Sequence, residues 1–302
     1  MHTPVLLIIF NRFDTTQQVI AKLREAAVPK LYVYCDGPRR NKLGETELLK
    51  EVQEKVLEAI DWPCSVITNF RKENEGPRLA IGHAVSWLFE TEERGIILEH
   101  DCVPHLSFFN YCETLLKHYE EDERVMHISG DNFQFGRWRG DGSYYFSRIT
   151  HIWGWATWKR AWKYYDVDLK NFKEFEDRNI LNGIFNHNRT IRYWRKILNQ
   201  TYNNQIQTWD YQWSFAVWSQ NGLSVLPNEN LVSNIGFDEN ALNTINPKHI
   251  LSNIATSEIG EIKHPIFVLP DLEADNWSMD MIFNPTYYQY FLGKFLGVKK
   301  VK

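Results

Sequence analysis

Residues 97–104 read ILEHDCVP, an apolar run that stops at Glu99, His100 and Asp101. The run begins near residue 95 and has the length and composition of a strand that is buried on both faces. Side chains two residues apart on an extended chain point to the same side, so Glu99 and Asp101 are expected to converge. Open α/β sheets bind ligands at the carboxyl ends of such strands. The stretch therefore predicts an α/β fold with a site at its acidic end.

The first 120 residues repeat this arrangement of buried strands and amphipathic helices. The alternation predicts a mixed, mostly parallel sheet with helices on both faces. Asp14 and Gln17 have the spacing of a capping box at the first helix. Pro77 follows Gly76 at the start of a later helix, where its missing N–H costs nothing. The predicted strands are 5–10, 31–36, 64–70 and 95–98, and the predicted helices are 14–26, 45–60, 77–90 and 108–119.

The pattern changes after residue 120, but no repeat or low-complexity linker divides the chain. Trp155, Trp158 and Trp162 have the i, i+3, i+7 spacing that is typical of a helical core stripe. We expect one domain over residues 1–270, built from the halves 1–103 and 104–270. Residues 271–302 form a predicted tail that mixes aromatic residues with lysines at positions 294, 299, 300 and 302.

Composition excludes several classes of protein. The net charge of −4 argues against a nucleic-acid-binding protein. No run of 18 apolar residues is present, so no membrane span is predicted. The four cysteines form no CxxC pair and no zinc spacing. Free thiols of this kind predict a reducing compartment and a cytoplasmic protein. The basic, aromatic tail adds a predicted peripheral contact with the inner face of the membrane, or alternatively a closing helix with a frayed end.

The Glu99–Asp101 pair is a candidate cation site. Mg²⁺ and Mn²⁺ prefer one or two carboxylates together with phosphate oxygens and water. The pair alone is a weak pattern, since E-x-D also occurs at ordinary solvated strand ends. If the strand continued through Asp101, alternation would direct His100 away from the metal. We therefore expect a metal–diphosphate site with Asp101 and Glu99 on one side of the chain.

Three further polar residues fall at the same predicted sheet edge. Arg12 follows the first strand and Asp36 ends the second, while Arg78 lies in the first turn of the helix after Gly76. An arginine at a helix N-terminus suits an anion, and a carboxylate at a strand end suits a base or ribose group. Each also has an ordinary interpretation, as a solvated arginine or a turn aspartate. Their shared position favours one nucleotide site.

Three candidates lie in the second half of the chain. Asp210 stands between aromatic residues in TWDYQW (208–213), where a raised pKa would suit a general base. Its alternative is an exposed aspartate near a helix N-terminus. Trp153, with Gly154 and Trp155, is expected to line a pocket. His264 is a further candidate metal ligand, although a lone histidine usually has another role.

In this order, these residues resemble a GT-A glycosyltransferase of the bacterial nucleotide-diphospho-sugar transferase type, and more distantly N-acetylglucosaminyltransferase I. The resemblance covers roughly residues 5–240. The stretches that carry it are LLIIFNR (6–12), VYCDG (33–37), ENEGPRLAIGHAVSWLFE (73–90), GIILEHDCVPHLSFF (95–109), HIWGWATWKRAW (151–162), TWDYQW (208–213) and NLVSNIGFDENA (230–241). It implies a Rossmann-like GT-A domain whose half 1–103 holds the nucleotide sugar and whose half 104–270 holds the acceptor.

The resemblance also implies roles for single residues. Asp101 matches the metal ligand of a D-x-D-type motif, with Glu99 supporting it, and Asp210 matches the general base of inverting members. Trp153–Trp155 matches a sugar-pocket wall. Arg12 and Asp36 match nucleotide-holding positions, and Arg78 matches a phosphate-facing arginine. The implied partners are a nucleotide sugar, with UDP favoured, and a glycan or lipid-linked acceptor. The segment around Asn243 departs from the usual family ending.

Two other functions fit part of the sequence. A sugar-1-phosphate nucleotidyltransferase uses a similar sheet and metal, but it needs a glycine-rich loop after the first strand, and IFNRFDTT (9–16) has none. A non-catalytic carbohydrate-binding protein would use the twelve tryptophans and fourteen tyrosines as sugar platforms. That function leaves Glu99, Asp101 and Asp210 without a role.

Overall fold

An eight-stranded mixed sheet forms the centre of the protein, in the order β3-β2-β1-β4-β8-β6-β9-β7. The structure is a computed structural model that describes residues 1–237 and 249–285. A small second sheet pairs β10 with β5. The strands are β1 Val5–Ile9, β2 Lys30–Cys35, β3 Ser65–Phe70, β4 Arg94–Glu99, β5 Cys102–Pro104, β6 Val125–Ser129, β7 Tyr144–Ser147, β8 Trp155–Trp158, β9 Leu223–Pro227 and β10 Val232–Asn234.

Helices cover both faces of the large sheet. The helices are α1 Phe13–Glu25, α2 Glu45–Glu58, α3 Gly76–Thr91, α4 Leu106–His118, α5 Lys159–Trp162, α6 Phe172–Asp177, α7 Leu181–Ile184, α8 Asn188–Tyr202, α9 Asp210–Ser219 and α10 Leu272–Ser278, followed by a π-helical turn Met279–Phe283. None of those within the described ranges is both long and apolar enough to cross a membrane.

The first four strands of the chain pair in parallel, as predicted. β1 lies between β2 and β4, and its side chains alternate between the two faces of the sheet. Val5, Leu7 and Ile9 enter one core cluster, whereas Leu6 and Ile8 enter the cluster on the other face. Burial on both faces explains why β1 is apolar at every position. The predicted α/β fold with a large, mixed, mostly parallel sheet is confirmed.

The strands of the two predicted halves share this one sheet, because β4 pairs with β8 and β8 pairs with β6. The predicted helical stripe through Trp155 and Trp158 is wrong, since residues 155–158 form β8. Four residues are too few to separate a period of 2 from a period of 3.6. Residues 155–158 pair with β4 on one side and β6 on the other, and these ladder hydrogen bonds satisfy their backbone donors and acceptors as a strand.

The predicted capping box of the first helix does not form. α1 begins at Phe13, its N-cap is Arg12, and no side chain caps it. Asp14 therefore lies inside the first turn, where a negative charge still suits the helix dipole. The local sequence pattern indicated the helix correctly but placed its start one residue too late.

Residues 271–285 pack on the domain, so this part of the predicted tail does not lie apart from it. Asp271 donates its backbone N–H to the carbonyl of Phe146, and its side chain caps α10 by accepting from the N–H of Ala274. Gln134 reaches the same helix through its side-chain amide. Residues 286–302, to which the predicted membrane contact and the lysines belong, lie outside the described residues, as does Asn243.

Gly154 has a left-handed backbone with φ of +63°, and a Cβ there would lie 2.7 Å from Cγ2 of Val232. We expect Gly154→Ala to lower the free energy of unfolding by about 2–4 kcal/mol, because backbone strain and overpacking add. Denaturant unfolding monitored by circular dichroism measures the change. Gly183→Ala, at a helical glycine with open space around it, is the control and should unfold at the same or a slightly higher denaturant concentration. Equal stability of the Gly154 variant and the wild type would contradict this interpretation.

Candidate functional site

A cleft with a volume of about 720 Å³ opens at the carboxyl ends of β1, β2 and β4. The N-terminus of α9 and the chain after β10 complete its walls. Six predicted site residues line it, namely Arg12, Asp36, Glu99, Asp101, Trp153 and Asp210. The parallel pairing of the strands thus brings residues from distant parts of the sequence to one edge of the sheet.

Three acids meet in this cleft. Glu99 ends β4, Asp101 lies in the turn that follows, and Asp210 opens α9. Burial, followed by the negative charges of Asp101 and Asp210, raises the pKa of the Glu99 carboxyl to about 8. Within the described residues, no lysine or arginine forms an ion pair with any of the three. The concentrated negative charge is the feature that a bound cation would neutralise.

His100 also lines the cleft, which contradicts the expectation that it points away. β4 stops at Glu99, and the next two residues form a turn, so the alternation of a strand no longer applies. Nδ1 of His100 lies 3.8 Å from Oδ2 of Asp101. The same nitrogen is buried and has no hydrogen-bond partner in the described structure. His100 is therefore a polar neighbour of Asp101.

Asp101 is held against the strand that returns from the second half. Its carbonyl accepts from the N–H of Ile235 at 2.9 Å, directly after β10. A Cβ on Gly236 would lie 2.0 Å from Oδ2 of Asp101, so only a glycine leaves the carboxylate its position. Hard divalent cations prefer such carboxylate oxygens. No group of three or more His, Cys, Asp or Glu suited to a metal occurs within residues 1–237 and 249–285. Asp101 can therefore supply part of a coordination shell that a diphosphate and water would complete.

Asp210 lies among aromatic residues and near a helix N-terminus, but it is half-buried and not exposed as the alternative prediction had it. It occupies the first turn of α9, and it faces the cleft between Trp209 and Tyr211, which also line the wall. Burial raises the pKa of Asp210, while hydrogen bonds from Thr208 and from backbone N–H groups oppose this shift. A carboxylate with a raised pKa accepts a proton more readily than an ordinary aspartate.

Asp36 has a structural role that goes beyond the turn aspartate of its ordinary interpretation. Its carboxylate accepts from the N–H groups of Gly37, Glu75 and Gly76 at 2.9–3.1 Å. The side-chain amide of Asn74 donates to it at 2.8 Å. Burial raises its pKa, and the three backbone bonds act in the opposite direction. Asp36 thus joins the end of β2 to the start of α3 and shapes the cleft wall beside any nucleotide.

The two predicted arginines differ in position. Arg12 lines the cleft, is 9% exposed and lies 3.3 Å from Asp14. Arg78 does not line the cleft, because its guanidinium donates to the carbonyl of Val167 and to Asp168, both at 3.0 Å. Arg78 does lie in the first turn of α3, as predicted. Its direction is decided by Asp168, which is ninety positions away in the chain.

Of the predicted pocket residues Trp153, Gly154 and Trp155, only Trp153 lines the cleft. Its indole lines the cleft and packs edge-on against Phe133 and Phe237, with ring centroids 5.0 and 5.6 Å apart. Trp155 instead lies in the core, fully buried and stacked on Trp209 at 5.3 Å. Gly154 provides the turn between them.

His264 is not brought to the cleft. Its ring stacks on His118 with centroids 3.7 Å apart, and its Nδ1 lies 2.7 Å from the hydroxyl of Tyr144 in β7. Burial, and then the nearby His118, lower the pKa of His264. β7 is the strand at the far edge of the sheet from β3, so this histidine belongs to a separate surface cluster.

Arg39 is a cleft residue that the sequence reasoning missed. It lies over the ring of Phe10, 5.3 Å from the centroid, and pairs with the buried Glu45. Phe10 and Asn11 line the same wall. The run DGPRR (36–40) follows a strand at the same sheet edge, and that position could have indicated Arg39.

Comparisons with known proteins leave the family of this chain unassigned. No family model matches it, and no curated protein matches it. Similar solved structures include an apo UDP-glucose pyrophosphorylase, 10% identical over 75% of this chain and 90% of the other, with a TM-score of 0.39. Another is HddC from Yersinia pseudotuberculosis complexed with GMP-PN, 11% identical over 53% of this chain and 78% of the other, with a TM-score of 0.34.

A third similar structure is 4-diphosphocytidyl-2C-methyl-D-erythritolsynthase from Anaerococcus prevotii, 8% identical over 58% of this chain and 84% of the other, with a TM-score of 0.34. None of these three is named as a glycosyltransferase. The pyrophosphorylase corresponds to the alternative prediction, a sugar-1-phosphate nucleotidyltransferase. At these identities and TM-scores the likeness carries no argument about activity.

Gly236→Ala tests the position of Asp101. The added Cβ forces the carboxylate of Asp101 to rotate away, so the affinity for UDP in the presence of Mn²⁺ should fall about 10- to 100-fold. Isothermal titration calorimetry measures this affinity. Gly260→Ala, at a glycine with open space around it, is the matched control and should bind like the wild type. Wild-type affinity in the Gly236 variant would show that Asp101 does not contribute to this binding.

Proposed function

We propose that this protein is a metal-dependent inverting glycosyltransferase that moves a sugar from a nucleotide diphosphate to a hydroxyl of a glycan or lipid-linked acceptor. The observation that carries the proposal is the meeting of Glu99, Asp101 and Asp210 in one cleft, where no lysine or arginine among the described residues forms an ion pair with them and His100 is the basic neighbour, beside Asp101. Such a cluster is unfavourable for stability, so a bound cation and a proton-transfer role together explain it best.

Asp101 and the adjacent Glu99 are the residues that would hold the cation. When bound, Mn²⁺ or Mg²⁺ would neutralise the charge that develops on the departing nucleoside diphosphate. Arg12, which also lines the cleft and pairs with Asp14, would add positive charge near the nucleotide. Phe10 and Arg39 form a wall of suitable size for a base.

Asp210 is the proposed general base. Its carboxylate accepts the proton of the acceptor hydroxyl while that oxygen attacks the anomeric carbon. The bond from the anomeric carbon to the diphosphate breaks in the same displacement, so the configuration inverts and the nucleoside diphosphate leaves. Burial, which raises the pKa of Asp210, strengthens it as a base, and the hydroxyl of Thr208 fixes its orientation.

A sugar-1-phosphate nucleotidyltransferase is the second candidate. In that reaction a sugar phosphate attacks the α-phosphorus of a nucleoside triphosphate, and the nucleophile is already anionic because its second pKa is about 6. Such a nucleophile needs no base and is repelled by a carboxylate in the cleft such as Asp210. The chain enters α1 directly after Arg12, without a glycine-rich loop for the triphosphate. Both points favour the glycosyltransferase.

A non-catalytic carbohydrate-binding protein is less well supported. Many of the large aromatic side chains are core residues, with Trp155, Trp194, Trp213 and Trp218 almost fully buried. They therefore explain the composition without any sugar platform. The carboxylates of the cleft would have no function in such a protein.

The products of the reaction distinguish the candidates. With Mn²⁺ and a panel of UDP- and GDP-sugars, we expect release of nucleoside diphosphate by slow hydrolysis, loss of this release in excess chelator, and its return with added Mn²⁺. Chromatography of the nucleotides measures it. Formation of nucleotide sugar and pyrophosphate from a nucleoside triphosphate and a sugar 1-phosphate would instead establish the nucleotidyltransferase. Full activity in excess chelator would disprove the metal requirement.

Asp210→Asn tests the general base. The amide keeps the shape but cannot take a proton, so sugar transfer or donor hydrolysis should fall at least ~100-fold. The affinity for UDP with Mn²⁺ should stay nearly unchanged in calorimetry. Asp271→Asn is the control, since it alters an aspartate at the start of α10 and outside the lining of the cleft. Equal losses of binding and turnover in the Asp210 variant would refute its role as a base.

A further inference from the structure

A buried aspartate lies behind the aromatic wall of the cleft. Asp131 is 1% exposed and follows the end of β6. Its Oδ1 accepts from the hydroxyl of Ser129 and lies 2.9 Å from Nδ1 of His151. Its Oδ2 accepts from the backbone N–H of Trp153 at 3.2 Å. One carboxylate therefore satisfies three donors in a place that water does not reach.

These contacts connect Asp131 to the wall of the cleft, although Asp131 does not line the cleft itself. Trp153 is a wall residue, and its backbone is tied to Asp131 on one side and its indole to Phe133 on the other. The ring of Phe133 stacks on His151, with centroids 4.6 Å apart. Asp131 thus holds both the backbone of Trp153 and the histidine that supports the neighbouring ring.

We infer that Asp131 is a positioning residue that sets the orientation of the Trp153 wall against the transferred or accepting sugar. The inference deepens the proposed glycosyltransferase function and rests on it. A sugar ring packs on an indole face only when that face is fixed, and a displacement of about 1 Å at a reacting group can cost on the order of 100-fold in rate. A carboxylate that accepts hydrogen bonds from three donors can hold the indole of Trp153 rigidly in one orientation.

Two substitutions at Asp131 separate hydrogen bonding from charge. Asp131→Ala removes the acceptor of the Trp153 N–H. Asp131→Asn retains this acceptor, because the amide oxygen can still accept from the N–H of Trp153. The amide NH₂ then faces Ser129 and His151, and both of these side chains change from donor to acceptor. The matched control is Asp275→Ala. Asp275 is 3% exposed and likewise accepts from a serine hydroxyl and a backbone N–H, those of Ser147 and Arg148, but neither belongs to the cleft.

Two readouts are compared in the full chain. The first is the fluorine resonance of Trp153 in protein that contains 5-fluorotryptophan, assigned with Trp153→Phe. The second is hydrolysis of UDP-glucose, UDP-N-acetylglucosamine and GDP-mannose with Mn²⁺. In Asp131→Ala the resonance should move or broaden, and kcat should fall about 10- to 100-fold at an unchanged KM for the donor. Asp131→Asn should restore both, and Asp275→Ala should alter neither, even if it lowers stability.

An unmoved Trp153 resonance in Asp131→Ala overturns the inference. So does a loss of kcat that Asp275→Ala reproduces, or a loss that Asp131→Asn fails to restore. If the wild type turns over no nucleotide sugar, the proposed glycosyltransferase function falls. The fluorine resonance then still decides whether Asp131 positions the wall, so the two failures are distinguishable.

Discussion

The parallel register of β1 with β2 and β4 is the constraint on which the site depends. Ile8 pairs with Glu99 and Ile9 pairs with Cys35, so these strands end at the same level. Arg12 and Asp36, the residues just beyond, are therefore carried to the edge where Glu99 stands. A shift of one residue in any pair would move the polar residue at that strand end out of level with the others. The apolar runs are buried on both faces, so it is these polar ends that distinguish the register.

The charge in the cleft is the main conflict between stability and the proposed activity. Three acids converge there, and the half-buried Glu99 shows the consequence in a pKa raised to about 8. A structure selected for stability alone would separate or pair them. The surroundings tolerate the conflict because neighbouring contacts are well satisfied, including the four donors on Asp36 and the ion pair of Arg39 with the buried Glu45. This contrast between strained and satisfied groups is typical of functional sites.

The fold and most of the cleft were predictable from local pattern. Six predicted residues line the cleft, and five of them do so because each follows a strand or opens a helix whose position the hydrophobic pattern indicates, whereas Trp153 precedes β8. The errors have tertiary causes. Arg78 turns to Asp168, and His264 turns to Tyr144 and His118, so distant partners decide their directions. Residues 155–158 form a strand because their backbone pairs with β4 and β6, which are distant in sequence. Arg39 and Asp131 were missed because single polar residues in loops carry no periodicity.

The amino-acid sequence by itself determined the α/β class, the parallel strands and the edge at which Glu99, Asp101, Asp36 and Arg12 gather. These features follow from periodicity and chain direction, which are local properties. Only the tertiary structure decided that His100 turns into the cleft, that Trp153 alone of the tryptophan pair forms its wall, and that Asp131 holds that wall from behind. Side-chain direction outside regular strands depends on partners that are remote in sequence, and no local pattern encodes them.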